Sequence, residues 1–177
     1  DDCTFFVALR NPATLVPEVL ARAGIADRDA HLGNADPLEL RWGPVLKRML
    51  EAVPDARVVL WCNEDTPLLW PDILHALADD DGDAPIEGED DMLMMLLSDE
   101  GLAALHTHLA GVEGPFGTTE RRDITARFLE RYARTEEMET IVDMPGWSAD
   151  LIVEMTEAYD EDVAEVAGLP GVEFLLP

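Results

Sequence analysis

The sequence predicts an α/β fold: a small, mostly parallel sheet of about three strands flanked by helices, in a single domain over residues 1–177. Two observations carry this. The runs Thr4 to Leu9 and Arg57 to Cys62 are nearly all apolar, without the period-two polarity of a half-exposed strand. That is the pattern of strands buried on both faces, as in parallel sheets. Each run then gives way to a helix-start signal, and helical apolar spacing fills the stretch between them. Two such strands joined by helices argue for a right-handed βαβ crossover.

The first strand ends at Arg10. Asn11 is a good N-cap and Pro12 suits the first helical position, so a helix is expected from Ala13 to Ala23, stopped by Gly24. Arg10 therefore sits at the carboxyl end of a strand, beside the first amides of a helix. In open α/β sheets ligands bind there, and an arginine beside a helix N-terminus describes an anion site. The competing expectation is an arginine that pairs with one of the many carboxylates.

After a polar connection carrying His31, Asp36-Pro37 reads as N-cap and first helical residue. Leu38, Leu40, Trp42, Val45, Leu46, Met49 and Leu50 give an amphipathic helix to about Val53, which Pro44 kinks or splits. The second strand ends in Asn63-Glu64-Asp65. Thr66-Pro67 opens the next helix, and Trp70-Pro71 is expected to restart it.

Asp79 to Asp91 is the most acidic tract. Placing Gly82 at the sixth position of a calcium loop puts Leu77 first and Gly88 twelfth, where an EF-hand needs carboxylates, so a solvated loop is expected. Met92 to Leu97 reads as a core or lid helix, and Ser98 caps a helix from Asp99 to Ala110. His106 and His108 are two apart and do not share a helical face, so no metal site is expected.

A helix from Thr118 or Thr119 to about Thr135 buries Ile124, Phe128, Leu129 and Tyr132. It also carries Arg121, Arg122, Arg127, Arg131 and Arg134. These are expected in i,i+4 pairs such as Asp123–Arg127 and Glu130–Arg134, the alternative being a face for an acidic ligand. Ser148 caps the last long helix, with Leu151, Ile152, Met155, Tyr159, Val163 and Val166 on one side and carboxylates on the other. Gly168 to Gly171 ends it, and Val172 to Leu176 reads as a final short strand.

The net charge is −26, from 38 acidic and 12 basic residues, and Lys47 is the one lysine. Such a surface repels nucleic acid and anionic membranes, and it fits a salt-tolerant source. No apolar stretch approaches the ~18 residues of a membrane span, and no signal peptide is visible. Cys3 and Cys62 lack a spacing motif, which suggests a reduced, cytoplasmic protein, the alternative being a disulfide between them. The chain begins with Asp, the expectation for a trimmed product or a portion of a longer protein.

The order of strand, Arg10-Asn11-Pro12, helix, then Arg57-Val58-Val59-Leu60-Trp61-Cys62-Asn63-Glu64-Asp65 and a helix resembles the C-terminal half of bacterial sulfotransferase-like proteins. These use 3′-phosphoadenosine 5′-phosphosulfate. The resemblance implies the cofactor-binding half of a P-loop-like fold and sulfuryl transfer from that nucleotide to an unidentified hydroxyl or amine acceptor. It implies that Arg10, with Asn11 and Thr14 of the following turn, holds the 3′-phosphate. The departures are specific. The family's phosphosulfate loop is absent, and Glu18 stands eight residues after Arg10, where the family has a phosphate-binding serine. Gly146-Trp147-Ser148 lacks the cation of the family's C-terminal basic segment, and no catalytic residue transfers. The alternative is a non-catalytic acidic interaction module that retains the fold.

Overall fold

The computed structural model describes residues 3–25, 33, 35–80, 86–112, 117–134 and 144–177. Among them the elements run β1 (Thr4–Leu9), α1 (Pro12–Arg22), a 3-10 turn (Pro37–Glu39), α2 (Gly43–Ala52), β2 (Arg57–Cys62) and a second 3-10 turn (Asn63–Asp65). They continue through α3 (Thr66–Ala78), α4 (Asp91–Leu96), α5 (Asp99–Ala110), α6 (Thr118–Tyr132), α7 (Ala149–Ala167) and β3 (Val172–Phe174). The strands form one parallel sheet in the order β1–β2–β3, as the two apolar runs predict. Thr4 lies opposite Arg57 and Leu9 opposite Cys62, while Val58 to Leu60 face Val172 to Phe174. Neighbours on both sides explain why β2 is the more completely buried run, with Val58, Val59 and Leu60 closed to solvent. No helix among the described residues is long and apolar enough to cross a membrane.

The chain divides into two compact units, Asp1–Asn63 with Thr140–Phe174, and Glu64–Glu139 with Leu175–Pro177. The first holds the sheet, α1, α2 and α7. Its main core gathers Leu9, Leu46, Val58, Leu60, Tyr159 and Val166. A smaller core joins Ala13, Trp147 and Met155, with Leu38 and Leu40 at its edge. The apolar side of α7 expected from the spacing supplies Met155, Tyr159 and Val166 to these two clusters. Burying each such side chain stabilises by about 1.5–3 kcal/mol.

The helical stretch expected from Pro37 to about Val53 is split in two just before Pro44, one of the two outcomes expected there. Asp36 caps only the 3-10 turn, through the Leu38 amide at 3.0 Å. Pro44 falls in the first turn of α2, where its missing N–H costs no bond. The break is held from α7: buried Asp162 accepts the Trp42 amide and, at 3.1 Å, the Gly43 amide. α2 thus receives its N-terminal cap from a carboxylate some 120 positions away. Its own N-cap residue, Trp42, offers none.

A second repair lies in α1. Pro17 sits inside the helix and lacks the N–H that would bond the Ala13 carbonyl one turn back. The indole Nε1 of buried Trp147 donates to that carbonyl instead, at 2.7 Å.

In the second unit α3 is continuous through Pro71, contrary to the expected restart. The proline removes a single intrahelical bond, while Leu69 and Ile73, on either side of it, are both fully buried. Leu93, Leu97, Leu105, Ile124 and Leu129 form this unit's core. Met94 and Met95 of α4 are exposed, so only part of the 92–97 run is core. Ser98 caps α5 through the Gly101 amide, 3.1 Å, as its position predicts. The final strand is shorter than expected, ending at Phe174. His31 and residues 81–85 of the acidic tract lie outside the described residues.

Candidate functional site

The carboxyl rim of β1 is built as its residues dictate. Asn11 leaves the strand in an extended conformation and turns the chain into α1. Its Oδ1 accepts the Ala13 amide at 2.9 Å, and its Nδ2 donates to Thr156 Oγ1 at 2.9 Å, tying the turn to α7. The Asn11 carbonyl accepts the Thr14 and Leu15 amides, 3.1 and 2.9 Å, and the Thr14 hydroxyl at 3.1 Å. Pro12 has no N–H. The first turn of α1 therefore spends its amides internally. The rim carbonyls are taken as well: Tyr159 donates its hydroxyl to Leu9 O at 3.1 Å, and Trp42 its indole N–H to Arg10 O at 2.9 Å.

Arg10 is the group expected to grip phosphate. Its guanidinium instead holds Glu18, Nη2 to Oε2 at 2.5 Å, with side chains 28% and 29% exposed. The other oxygen of Glu18 takes Arg22 at 2.7 Å. The hydrogen bond from Arg10 holds Glu18 below the ordinary carboxylate range, outweighing burial and aided by the charges of Arg10 and Arg22. The structure thus brings Arg10, Asn11 and Thr14 to one junction. It also sets on Arg10 the carboxylate of Glu18, from about two helical turns along α1.

The arginines of α6 do not form the expected i,i+4 ladder. Arg127 donates to the Asp123 backbone carbonyl, and Arg134 reaches Asp99 at 3.0 Å rather than Glu130. Arg122 holds Asp72 and donates to the Leu176 carbonyl at 2.7 Å. Arg121 bridges Glu89 and Asp90 at 3.0 and 3.7 Å. Apart from Arg127, these arginines find their partners on other elements of the same unit.

That last contact belongs to a network the sequence does not announce. His75 Nδ1 lies 3.1 Å from Asp80 Oδ2, and its Nε2 lies 3.4 Å from Glu89 Oε1. His106 Nε2 is 2.9 Å from Asp90 Oδ2. Burial raises the Glu89 carboxyl, but the Ile86 amide, Arg121 and His75 outweigh it and hold the group below its ordinary value. A single faint signal precedes it: histidines falling on helices either side of an acidic tract. Among the described residues no three His, Cys, Asp or Glu side chains converge as a metal site.

Comparison with family models, curated proteins and solved structures finds no match.

Proposed function

We propose that this chain keeps a sulfotransferase-like architecture but works as a non-catalytic acidic interaction module. The observation that supports this best is the Arg10–Glu18 pair. The cation that would grip a 3′-phosphate is already neutralised by a carboxylate, and the adjacent amides are bonded within the turn. A phosphate entering there meets Glu18 and a chain of net charge −26, which raises its cost further.

A second reading is favoured by where Arg10 lies. It stands just past the end of a parallel strand and keeps 28% of its side chain exposed. On that reading the chain is the donor-binding part of a sulfotransferase, with Arg10, Asn11 and Thr14 around the phosphate of 3′-phosphoadenosine 5′-phosphosulfate. The sulfuryl group would pass to a hydroxyl or amine acceptor, and the nucleotide would have to displace Glu18.

Titration with adenosine 3′,5′-bisphosphate at low salt separates the two. The module reading expects no change in Tm for the wild-type chain and a nucleotide-dependent rise for Glu18→Ser, which frees Arg10 and Arg22. A rise in the wild type that Arg10→Ala abolishes would overturn it in favour of the donor site.

A further inference from the structure

The pairing of the sheet fixes which way each peptide of β1 points. Arg57 N donates to Cys3 O at 3.0 Å, while the next amide of β2, Val58 N, turns the other way and donates to Gly171 O at 3.4 Å. Along a parallel strand each residue aims its N–H and C=O to one side, and its neighbour aims both to the other. With Thr4 opposite Arg57 and Leu9 opposite Cys62, the N–H groups of Phe5, Val7 and Leu9 turn toward β2. The N–H and C=O groups of Thr4, Phe6 and Ala8 point off the outer edge of the sheet. Among the described residues no hydrogen bond reaches any of them. The open row stops at Arg10, whose carbonyl takes the Trp42 indole N–H at 2.9 Å.

An open row of peptide groups is a template for another strand, so edges are ordinarily blunted by brevity, proline, bulges or charge. The other edge of this sheet is blunted. β3 is three residues long, and its middle residue, Glu173, is held by Arg57 at 2.7 Å. β1 carries none of these devices. Thr4–Leu9 has no charge, no proline and no glycine, and its register against β2 runs without a bulge. From Phe5 onward its side chains are apolar on both faces. Phe5, Val7 and Leu9 join the main core, and Phe6 and Ala8 alternate onto the opposite face, where both are half-buried.

We infer that two copies of this chain join through β1, antiparallel about a two-fold axis beside Phe6, so that two three-stranded sheets become one. Three features of β1 select a second copy as the occupant. In an antiparallel pair, facing residues whose peptides point at each other exchange two hydrogen bonds. A register centred on Phe6 sets Thr4 against the copy's Ala8, Phe6 against the copy's Phe6 and Ala8 against the copy's Thr4, so every open group finds a partner at once. An edge apolar on both faces is best continued by a strand apolar on both faces, and β1 is itself such a strand. The seam is also neutral. On a chain of net charge −26, it lets two copies meet without setting carboxylate against carboxylate. A two-fold contact is closed, so the pairing stops at a dimer. It does not depend on how the Arg10 junction is read.

The test is sedimentation of the full chain, with amide exchange followed in parallel, over about a hundredfold range of protein concentration. The mass is expected to rise from monomer to dimer with concentration, and more readily in added salt, which screens the repulsion between two acidic chains. The Phe6 and Ala8 amides are expected to exchange freely when dilute and to gain protection as the dimer forms. Those of Phe5, Val7 and Leu9 stay protected throughout. Thr4→Pro removes an outward N–H but leaves the ladder with β2 whole, because Cys3 O and Phe5 N make those bonds. Each dimer then loses two hydrogen bonds, and its dissociation constant is expected to rise about tenfold, whereas Thr4→Val, which keeps the N–H, should leave it unchanged. A monomer at every concentration and salt would overturn the pairing and leave the edge to a strand of another protein. Phe6 and Ala8 amides already protected at the lowest concentration would overturn it by showing that the chain closes its own edge. A dimer in which those amides still exchange freely, or one that Thr4→Pro and Thr4→Val affect equally, would assign the association to another face.

Discussion

Gly101 stands where no side chain fits. A Cβ built there would lie 2.4 Å from Tyr132 Cβ and 2.9 Å from Tyr132 Cγ, atoms near the backbone that cannot swing aside. The absence of a side chain is what lets α5 approach α6 at this level. Gly101→Ala, mild elsewhere in a helix, is therefore expected to cost about 1–3 kcal/mol of stability through forced repacking. Chemical denaturation measures it, and an unchanged midpoint would show that the two helices can separate freely. Nothing in the sequence distinguishes this glycine from the others, since the atom that excludes its Cβ lies 31 positions away. Glu18 is a contrasting case. The sequence places this carboxylate eight residues after Arg10, about two turns along the following helix. The structure adds that it closes on Arg10 itself and shares itself with Arg22.

Among the elements, α1 and α2 are the ones completed from a distance. α1 carries a legible start and stop: Asn11 caps it, and Gly24, φ 71, turns the chain after it. Its interior proline is tolerated because Trp147 serves the carbonyl that Pro17 abandons. α2 has no cap of its own, and Asp162 supplies one from α7. Asp162→Ala would leave two amides at that helix start without partners, at a cost of about 2 kcal/mol or more. Asp162→Asn keeps an acceptor oxygen and should lose less. Equal losses for the two variants would mean that the carboxylate's charge, not its acceptor geometry, holds the 41–43 segment. The i,i+4 pairs expected on α6 failed for a related reason. Each such pair is worth only ~0.3–0.5 kcal/mol, and partners on neighbouring elements compete easily with that.

For the whole molecule, the acid response can be given a sign. Glu18, Glu89 and Glu165 are each held below the ordinary glutamate value of 4.5, by Arg10, by the Ile86 amide with Arg121 against burial, and by Lys47. Groups of this kind contribute stability that is present above the ordinary value and lost as pH falls through the lowered one. Asp65 acts oppositely: burial, then the neighbouring charge of Glu64, raises it above 3.8, so its protonation relieves the fold. Among the described residues three lowered carboxyls stand against one raised, so Tm is expected to fall on acidification below about pH 4.5. Much of the Glu18 and Glu165 contribution should disappear at high salt, because both pairs are open to solvent. A Tm that is flat or rising from pH 5 to about 3 would contradict this balance.

The sequence by itself determined the local grammar of this protein. Two nearly all-apolar runs made parallel strands, Ser98 and Ser148 began the helices that follow them, and glycines ended others, because those preferences act within a few residues. Only the tertiary structure decided which polar group answers which. Arg10 met Glu18 rather than an open rim, Asp162 capped a distant helix, Trp147 repaired α1, and two histidines closed on one acidic turn. The physical reason is that a hydrogen bond or ion pair depends on ångström-scale approach, and among 38 acidic side chains that choice is made by the fold, not by spacing along the chain.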